Sequence, residues 1–548
     1  MGLRAWRACL GQTLLLGAPR TSWGLASPPS YLADARRQLT LLGQPAKESQ
    51  GVAFVQLFEW SWPDVAVECE SWLGPKGFAA VQVSPPTEHI QGPQWWTRYQ
   101  PVTYNLTSRS GGEESFVSML RRCRAAGVDV YVDAVFNHCA GGSGLGVGGS
   151  RYGNRSFPLF GPSDFHHDED QLLSNCIVKD YTNKHEVQYC DLMQLPDLCT
   201  GCEHVQATIA TYLNRLASLG VTGIRIDAAK HQDAAELYEL LRRVDGRLWR
   251  FSEVIDSDRE AVYPEEYSTF SAVTEFKYAK GLDFALDRLA GGGSSALAAL
   301  ADFGEPFGLL PSGSAVVFVD NHDTQREALK DPQQLTYKSG PLYVLAVAFM
   351  LAHPYGYPQL MSSYRFTSYD EGPPATPVHG PSGELACGTD APWVCEHRFA
   401  PIANMVAWRR TAGDTPLTGF LSDLAGEGVF FCRGATACIA LNRAASSEWR
   451  LEVELPLLVG SYCNIAVSSN PLDCPEVVVV ARGKSTMLIV PPTGIVAIHL
   501  GAPAHVVDKA GLLASPVASV AAVEAPAREP SPSRAASVRA EWLVGADG

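Results

Sequence analysis

Long apolar runs and an excess of basic residues are both missing from this chain of 548 residues. Beyond the N-terminal segment, the chain has no run of eighteen or more apolar residues, whereas a membrane-spanning helix needs about 20. It holds 43 lysine and arginine residues against 58 aspartate and glutamate residues, a formal net charge of -15. Because nucleic-acid binding requires a basic face, we expect neither a membrane span nor a nucleic-acid partner.

Zinc-finger spacing is missing too, although the chain has 14 cysteines. Cys199 and Cys202 form a lone CxxC pair, a weak signal for metal or redox chemistry. So many cysteines are typical of a disulfide-bonded protein of an oxidising compartment, so we expect a secreted protein. Arg4 and Arg7 precede a short apolar stretch, residues 8–18, which fits a secretory signal. An Arg-rich organellar transit segment is the alternative.

From residue 52 onward, strand-like apolar runs alternate with amphipathic helices. Phe116, Met119, Leu120 and Cys123 recur at helical spacing and stop at Gly127, and residues 205–216 repeat the pattern. The predicted strands are Val52–Leu57, Phe78–Val83, Val130–Asp133, Val221–Asp227, Leu248–Glu253 and Ala315–Asp320. Such alternation predicts parallel strands joined by helical crossovers, in either a doubly wound sheet or a closed barrel.

Three regions depart from this alternation. Residues 139–202 are rich in Gly, Ser, Asn, Asp and Cys and are predicted to be an insertion after a strand. From about residue 409, short strand-like runs predict an antiparallel C-terminal module. Beyond Gly501, a bias towards Ala, Pro, Ser and Val predicts a disordered tail.

Four predicted strands end in polar clusters, at residues 133–138, 223–231, 251–256 and 318–323. A short strand commonly ends in Asp, Asn or His at a turn, so a single cluster carries little weight. Four clusters in chain order indicate a site, because the carboxyl ends of barrel strands converge on one face.

These clusters supply three carboxylates: Asp227, Glu253 and Asp323. Arg225 lies two residues before Asp227 on a strand, so both side chains leave by the same face and the arginine favours an ionised Asp227. Glu253 follows the apolar Phe251, and desolvation with nearby negative charge would raise its pKa, as suits a general acid. Such a pair, about 5–5.5 Å apart, performs retaining glycoside hydrolysis.

The four clusters resemble, in order, the signature segments of the α-amylase family of glycoside hydrolases. Residues 57–60, 77–86, 95–101 and 349–356 resemble its animal-type subgroup, and the whole resemblance covers roughly residues 51–501. It implies a (β/α)8 TIM barrel with an inserted small domain and a C-terminal antiparallel β-sandwich. The implied activity is retaining hydrolysis of internal α-1,4 bonds in starch, glycogen and maltooligosaccharides.

The resemblance also implies a domain organisation and residue roles. The expected domains are a leader and linker (1–50), the barrel (51–138 and 203–408), the inserted domain (139–202), the C-terminal domain (409–501) and the tail (502–548). Asp227 is the expected nucleophile, Glu253 the general acid/base, and Asp323 the group that stabilises the distorted sugar. Substrate contacts are expected from Trp95, Trp96, Tyr99, Gln100, His138, Arg225, Lys230, His231 and His322. Paired aromatics are more often core, but a Trp pair in a loop after Pro93 favours stacking on sugar rings.

One structural calcium ion is implied at the inserted domain. The implied ligands are Asn137, Asp197 and the backbone carbonyls of Gln188 and His231, a mixed oxygen set of the kind calcium prefers. Asp197 taken alone could equally be a helix cap.

Two departures from the family affect the site. Animal members bind an activating chloride between two arginines and an asparagine, and Arg225 and Asn321 match two of these positions. Gln359 stands where the second basic residue is expected, so we predict chloride-independent activity. The glycine-rich loop of vertebrate members is replaced by residues 324–338, which predicts a more open cleft.

The disulfides implied by the resemblance are Cys69–Cys123, Cys176–Cys190, Cys387–Cys395 and Cys463–Cys474. Cys199–Cys202 and Cys432–Cys438 have no family counterpart, and Cys139 is expected to be a free thiol.

Alternative functions stay open at this point. A related α-glucosidase or glucanotransferase would release glucose or redistribute chain lengths, whereas an endo-acting enzyme gives mixed short oligomers. A catalytically silent relative, used for glycan binding or as a transporter subunit, usually lacks one of the carboxylates that are all present here. A monomer is expected.

Overall fold

The computed structural model describes residues 52–246, 248–257, 259–286, 297–331, 333–470 and 472–504. Within these ranges, no helix combines the length and the apolar character needed to cross a membrane. The expectations for the leader (1–50) and for residues 505–548 of the tail lie outside the described residues.

Eight parallel strands close into a barrel, each paired with its neighbours in chain order and the last paired with the first. The strands are β1 (Phe54–Leu57), β2 (Ala80–Val83), β3 (Asp129–Ala134), β4 (Gly223–Ile226), β5 (Trp249–Ser252), β6 (Ala272–Thr274), β7 (Ala315–Val317) and β8 (Tyr357–Ser362). The TIM barrel is confirmed, and the doubly wound sheet is excluded. Periodicity did not predict β6, which has three residues, or β8, which contains Pro358.

The barrel interior changes from aromatic to polar along the strands. The aromatic layer consists of Phe54, Tyr131, Trp249, Phe251 and Tyr357, with ring centroids 4.7 to 6.2 Å apart. Gly223 makes room for it, because a Cβ there would lie 2.6 Å from the Tyr131 ring. Residues two apart on a strand share a face. The next residues on these faces are therefore Gln56, Asp133, Arg225, Glu253 and Gln359.

The helices pack around this barrel. They are α1 (Trp62–Glu68), α2 (Glu113–Ala125), α3 (Lys184–Tyr189), α4 (Glu203–Leu219), α5 (Ala234–Leu241), α6 (Phe276–Leu286), α7 (Thr324–Glu327), α8 (Pro341–Ala352) and α9 (Ala400–Ala412). Ordinary capping residues start and end these helices. The Ser61 hydroxyl accepts the Asp64 N–H at the start of α1, and Gly220, with a left-handed φ of 110°, ends α4. The two helices predicted around residues 116–123 and 205–216 are α2 and α4.

Shorter elements complete the barrel region. α1 continues as a π-turn (Cys69–Leu73) and a last turn (Gly74–Lys76). The short strands are Glu88–His89, Pro101–Thr103, Thr107–Ser108 and Gly111–Gly112. The 3-10 turns are Trp95–Tyr99, Pro162–Asp164, Leu192–Gln194, Ala229–His231, Pro264–Glu266, Leu297–Asp302, Glu305–Phe307, Ser312–Ser314, Tyr337–Ser339 and Glu396–Arg398.

An irregular segment separates β3 from α4, where the insertion is predicted. It contains a hairpin of strands Ser143–Leu145 and Arg151–Gly153, followed by α3. Its two ends meet, because the Cys139 N–H donates to the Pro196 carbonyl (3.0 Å) and the Leu198 N–H donates to the Asn137 carbonyl (2.9 Å).

A two-layer β-structure follows α9. Its strands are β9 (Leu417–Ser422), β10 (Gly428–Arg433), β11 (Ala437–Asn442), β12 (Trp449–Val453), β13 (Gly460–Cys463), β14 (Val477–Val480), β15 (Thr486–Val490) and β16 (Gly494–His499). A four-stranded antiparallel sheet (β9, β10, β11, β16) packs through residues such as Phe430 and Val496 on two-stranded sheets. The antiparallel C-terminal sandwich is confirmed. Arg433 of β10 joins it to the barrel by donating to the Ala352 carbonyl at the end of α8 (3.0 Å).

Six disulfides occur in the described part of the chain. They are Cys69–Cys123, Cys176–Cys190, Cys199–Cys202, Cys387–Cys395, Cys432–Cys438 and Cys463–Cys474. All four pairs implied by the family are confirmed, and the two pairs without a counterpart also form. Cys139 is buried and has a free thiol, as expected.

Candidate active site

One arginine at the end of β4 holds two of the three carboxylates. Arg225 Nη1 lies 2.7 Å from Asp227 Oδ1, and its Nη2 contacts Glu253 Oε1. Glu253, directly after β5, also accepts the Ala228 N–H through Oε2 (2.9 Å). The sequence paired Arg225 with Asp227 alone; the structure shows that a single guanidinium joins both carboxylates.

Asp133 extends this group in a way the sequence argument missed. Its Oδ1 lies 2.6 Å from the same Nη1 of Arg225, and its Oδ2 accepts the hydroxyl of Tyr99 (2.9 Å). The register explains the contact, since Arg225 pairs with Asp133 between β4 and β3. Asp133 therefore links the Tyr99 ring to the carboxylates.

Burial dominates the protonation of these groups. It raises the pKa of Asp227 to about 6, with Arg225 opposing and the Glu253 charge adding to the rise. Burial and then the Glu253 charge raise the pKa of Asp323 to about 8. Arg225 favours the ionised form of Asp227, as expected, but desolvation outweighs this effect and keeps the pKa of Asp227 above its usual value. Interacting carboxyls share protons, so the cluster retains a proton at neutral pH.

His322 stands beside Asp323 inside a column of rings. Its Nε2 lies 3.4 Å from Asp323 Oδ2. The imidazole stacks between Phe58 (4.9 Å) and Tyr99 (5.0 Å), and Phe58 in turn stacks on Tyr364 (6.0 Å). Burial lowers the pKa of His322 well below its usual value, with Arg225 and Arg326 adding to the effect. The ring is therefore neutral and rigidly held.

The predicted aromatic residues lie on the 3-10 turn Trp95–Tyr99. Trp95 is 4% exposed and donates its indole N–H to the Tyr369 carbonyl (2.7 Å), so it packs as core. Trp96 is half-buried and donates to Asp370 Oδ1 (2.9 Å). Gln100 uses Oε1 to accept the Gly141 N–H at the start of the insertion (3.2 Å). Trp96 is thus the member of the pair with an accessible ring.

Lys230 and His231 follow Asp227 on a 3-10 turn. Lys230 pairs with Glu260 and donates to the Ile255 carbonyl (2.6 Å), so its ammonium group is already bound. His231 Nδ1 donates to the Val187 carbonyl (2.9 Å), and burial lowers its pKa to about 3.

The predicted calcium ligands were tested for fit through their hydrogen bonds. Oδ1 of Asn137 and Oδ1 of Asp197 are both buried, and neither has a hydrogen-bond partner. Burial and the nearby Asp191 charge raise the pKa of Asp197. Gln188 reaches the same region, since its Nε2 donates to the Gln232 carbonyl (3.3 Å), next to His231. Two buried acceptors without a hydrogen-bond partner, one amide oxygen and one carboxylate oxygen, suit a hard cation, so these residues fit calcium.

Among the described residues, no group of three or more His, Cys, Asp and Glu side chains is arranged to hold a metal. The four predicted calcium ligands do not form such a group, because only Asp197 among them offers a carboxylate and the others offer amide or backbone carbonyl oxygens. His138, beside Asn137, donates Nε2–H to the Tyr99 carbonyl (2.8 Å) and so ties this region to the substrate side.

The positions that match the chloride site have other partners. Asn321 Oδ1 accepts the N–H groups of Asp323 and Thr324 (both 2.9 Å). Gln359 Nε2 donates to Gln82 Oε1 (3.1 Å) and Gln56 Oε1 (3.3 Å).

Arg326 is a further residue that the sequence argument missed. It is fully buried behind His322, donates to the His322 carbonyl (2.9 Å), and lies over the rings of Trp95 (4.9 Å) and Phe366 (4.5 Å). Residues 324–338, predicted to leave an open cleft, thus begin with an anchored side chain. No local sequence pattern identifies Arg326, whereas strand alternation could have identified Asp133.

Comparison with known proteins assigns the family. A family described as "Alpha amylase, catalytic domain" matches residues 77–270. An α-amylase of Streptomyces violaceus is 42% identical over 453 residues, 81% of this chain and 73% of the relative. An α-amylase of Tribolium castaneum is 40% identical over 442 residues, 76% of this chain and 86% of the relative. The chain belongs to the α-amylase family.

A solved member of this family has the same architecture. The crystal structure of wild-type α-amylase I from Eisenia fetida covers 82% of this chain and 97% of its own, with a TM-score of 0.75 and 34% identity. Three of the four polar clusters lie within the matched residues 77–270, including Asp227 and Glu253. The chain is therefore a glycoside hydrolase of the α-amylase type, with animal and bacterial relatives.

Proposed function

We propose that Asp227, Glu253 and Asp323 catalyse retaining endohydrolysis of α-1,4-glucosidic bonds in starch, glycogen and maltooligosaccharides. The observation that carries the proposal is the single Arg225 guanidinium that contacts both Asp227 and Glu253. It holds two carboxyls from adjacent strands side by side, as a double displacement requires. Family membership supports the same activity.

The chemistry follows from the two carboxyls. Asp227 attacks the anomeric carbon, while Glu253 gives its proton to the glycosidic oxygen of the leaving chain. A covalent glycosyl-enzyme intermediate forms, and Glu253 then removes a proton from the water that hydrolyses it.

The remaining predicted residues surround this centre in the proposal. Asp323 and His322 bind the hydroxyls of the distorted sugar, Arg225 fixes both carboxylates, and Tyr99 is held through Asp133. Trp96 offers a ring for stacking, and Trp95 borders the same region through its contacts with Tyr99 and His322. His138, Gln100, Lys230 and His231 line the adjoining subsites.

We propose one structural calcium ion held by Asn137, Asp197 and the carbonyls of Gln188 and His231. The unpartnered oxygens of Asn137 and Asp197 support it. The ion supplies positive charge to a buried carboxylate and joins the ends of the insertion to the barrel. We keep 139–202 as the inserted domain, with the barrel and C-terminal boundaries predicted above.

We also infer chloride-independent activity, an extracellular location and a monomer. Gln359 offers amide groups in place of a second positive charge, and its amide is bound by Gln56 and Gln82. Six disulfides support an oxidising compartment.

The test compares Glu253→Gln with Glu275→Gln in the release of reducing ends from soluble starch. Glu275 is a matched control, a buried glutamate directly after β6 that accepts the Leu310 N–H (2.8 Å). We expect Glu253→Gln to lose about 10³-fold or more in kcat and Glu275→Gln to retain activity. Equal activity of Glu253→Gln and wild type would overturn the mechanism. Glucose as the sole product, or redistributed chain lengths, would indicate an α-glucosidase or glucanotransferase instead.

A further inference from the structure

Three glutamine side chains form a layer inside the barrel, between the aromatic rings and the carboxylates. Gln56, Gln82 and Gln359 are each less than 5% exposed. Gln359 Nε2 donates to Oε1 of both Gln56 (3.3 Å) and Gln82 (3.1 Å). None of these three glutamines has a role in the proposed activity. Gln359 is the residue that replaces the expected basic chloride ligand.

This layer is connected to the catalytic face. Gln56 Nε2 lies 3.2 Å from His322 Nδ1, and His322 Nε2 lies 3.4 Å from Asp323 Oδ2. A continuous line therefore runs from Gln359 through Gln56 and His322 to Asp323. We name these four residues the amide chain.

The orientation of the amides sets the direction of the hydrogen bonds. Gln359 Nε2 donates to Gln56 Oε1, which leaves the Gln56 amide N–H facing His322 Nδ1. Nδ1 must therefore accept this hydrogen bond. Because a neutral imidazole has one N–H, the ring proton lies on Nε2, the nitrogen that faces Asp323. Asp323 keeps an oxygen that can accept from Nε2 in either protonation state.

We propose that Gln359 and Gln56 are positioning residues that keep the His322 proton on Nε2, directed at Asp323. Gln359 fixes the orientation of Gln56, and Gln56 fixes the tautomer of His322. The inference rests on the proposed function of Asp323. The proposal gives Gln359 a positioning role in the reaction. Comparison with chloride-binding members shows only that Gln359 replaces a basic chloride ligand.

The decisive variant is Gln56→Glu, which keeps the size of the side chain but replaces its amide donor with an acceptor. A carboxylate at this position accepts the Nδ1 proton of His322 and leaves Nε2 unprotonated. Gln82→Glu is the matched control, because it adds the same charge to the same layer and still accepts from Gln359. Within the described part of the chain, Gln82 makes no hydrogen bond to His322, so the His322 tautomer should not change.

Two measurements test the proposal. Long-range ¹H–¹⁵N spectra of the full chain labelled with [¹⁵N]histidine distinguish protonated from unprotonated ring nitrogens, with the His322 signals assigned from His322→Asn. We expect Nε2–H in wild type and Gln82→Glu, and Nδ1–H or a doubly protonated ring in Gln56→Glu. Starch hydrolysis by Gln56→Glu should lose about 10- to 100-fold in kcat, with a smaller change in KM.

Several outcomes overturn the proposal: Nδ1–H in wild type, Nε2–H alone in Gln56→Glu, or wild-type kcat in Gln56→Glu. If Gln56→Glu does not fold, Gln359→Leu replaces it, since a freed Gln56 amide can rotate. A mixture of His322 tautomers in Gln359→Leu then supports the proposal, and an unchanged single tautomer overturns it. The spectra do not need turnover, so failure of the amide chain is distinguishable from failure of the proposed function, which Glu253→Gln tests.

Discussion

The two ends of the same eight strands differ in what they bury. Near their amino ends, the barrel holds rings such as Tyr131 and Trp249, packed so closely that only glycine fits at 223. Near their carboxyl ends, it holds carboxyls such as Asp227 and Asp323, whose burial raises their pKa values. One end gains free energy from packing, while the other loses some of it to keep charges in a protein interior. Stability and chemistry are thus separated along each strand, and substitutions at the two ends should have opposite effects.

Asp227→Asn should produce the largest effect, entirely on activity. Loss of the attacking carboxylate is expected to lower kcat at least about 10⁴-fold on soluble starch. The melting temperature should change little, because Arg225 keeps Asp133 and Glu253 as partners. Reducing-end assays and calorimetry check this together. A stable variant with more than a tenth of wild-type activity would contradict the separation.

Trp249→Ala should produce the reverse effect at the amino ends. Deleting this ring from the aromatic layer is expected to lower the free energy of unfolding by about 3–5 kcal/mol. The fraction that stays folded should keep kcat close to wild type, because the ring packs against the other rings of the aromatic layer rather than against the carboxylates, among the residues described. Urea unfolding and active-site titration measure the two quantities. A large fall in kcat with unchanged stability would show that the layers are not independent.

Removing calcium should affect stability before activity. Chelation is expected to lower the melting temperature, and calcium at about 100 times its dissociation constant should restore about 2.7 kcal/mol. Asp197→Asn should remove most of this calcium dependence. Asp64→Asn, at a buried carboxylate in α1, is the control that should retain it. Identical melting curves of wild type with chelator and with calcium would remove the calcium proposal.

The pH dependence of stability should differ between a catalytic and a structural carboxyl. Asp323, with a folded-state pKa of about 8, destabilises the protein increasingly as pH rises from about 4 to 8. Asp323→Asn should therefore raise the melting temperature at pH 8, by roughly 2–5 °C, and leave it unchanged at pH 4. Hydrogen bonds from His379, His397 and Arg398 instead hold the pKa of Glu68 well below its usual value.

The contribution of Glu68 to stability changes with pH in the opposite direction. Its folded-state pKa lies below the unfolded value, so it stabilises above about pH 4.5, and this contribution is lost as pH falls. Glu68→Gln should lower the melting temperature at neutral pH and have a smaller effect in acid. Equal responses of the two variants at every pH would refute the contrast.

Chloride should have the smallest effect. With Gln359 in place of a second arginine, adding chloride to depleted enzyme is expected to change kcat by less than about twofold, since no second fixed charge holds the anion. If turnover disappears when chloride is depleted and returns when chloride is added, Arg225 and Asn321 bind the ion without a second basic residue.

The sequence predicted most of the barrel because its strands are short apolar runs and its helices repeat apolar residues at helical spacing. It missed β6, which is too short for a pattern, and β8, whose proline argues against a strand. In the site, Asp227 and Glu253 were identifiable because they end strands. The shared arginine and the orientation of Gln56 depend on contacts between strands distant in sequence, which no local pattern contains. Asp133 lies on a strand, so strand alternation could have identified it. Protonation was hardest, because burial competes with charge pairing and only the folded arrangement determines the balance.

The closed neck of the insertion has an engineering consequence. Backbone hydrogen bonds at Cys139 and Leu198 fix where the excursion leaves and returns. Its part around Val187 is attached to the barrel as well, because His231 Nδ1 donates to the Val187 carbonyl and Gln188 Nε2 donates to the Gln232 carbonyl. The exposed stretch 167–173 lies between these attachments, and changing its length alters loop entropy only slowly. Residues can therefore be inserted there while the barrel beneath folds as before.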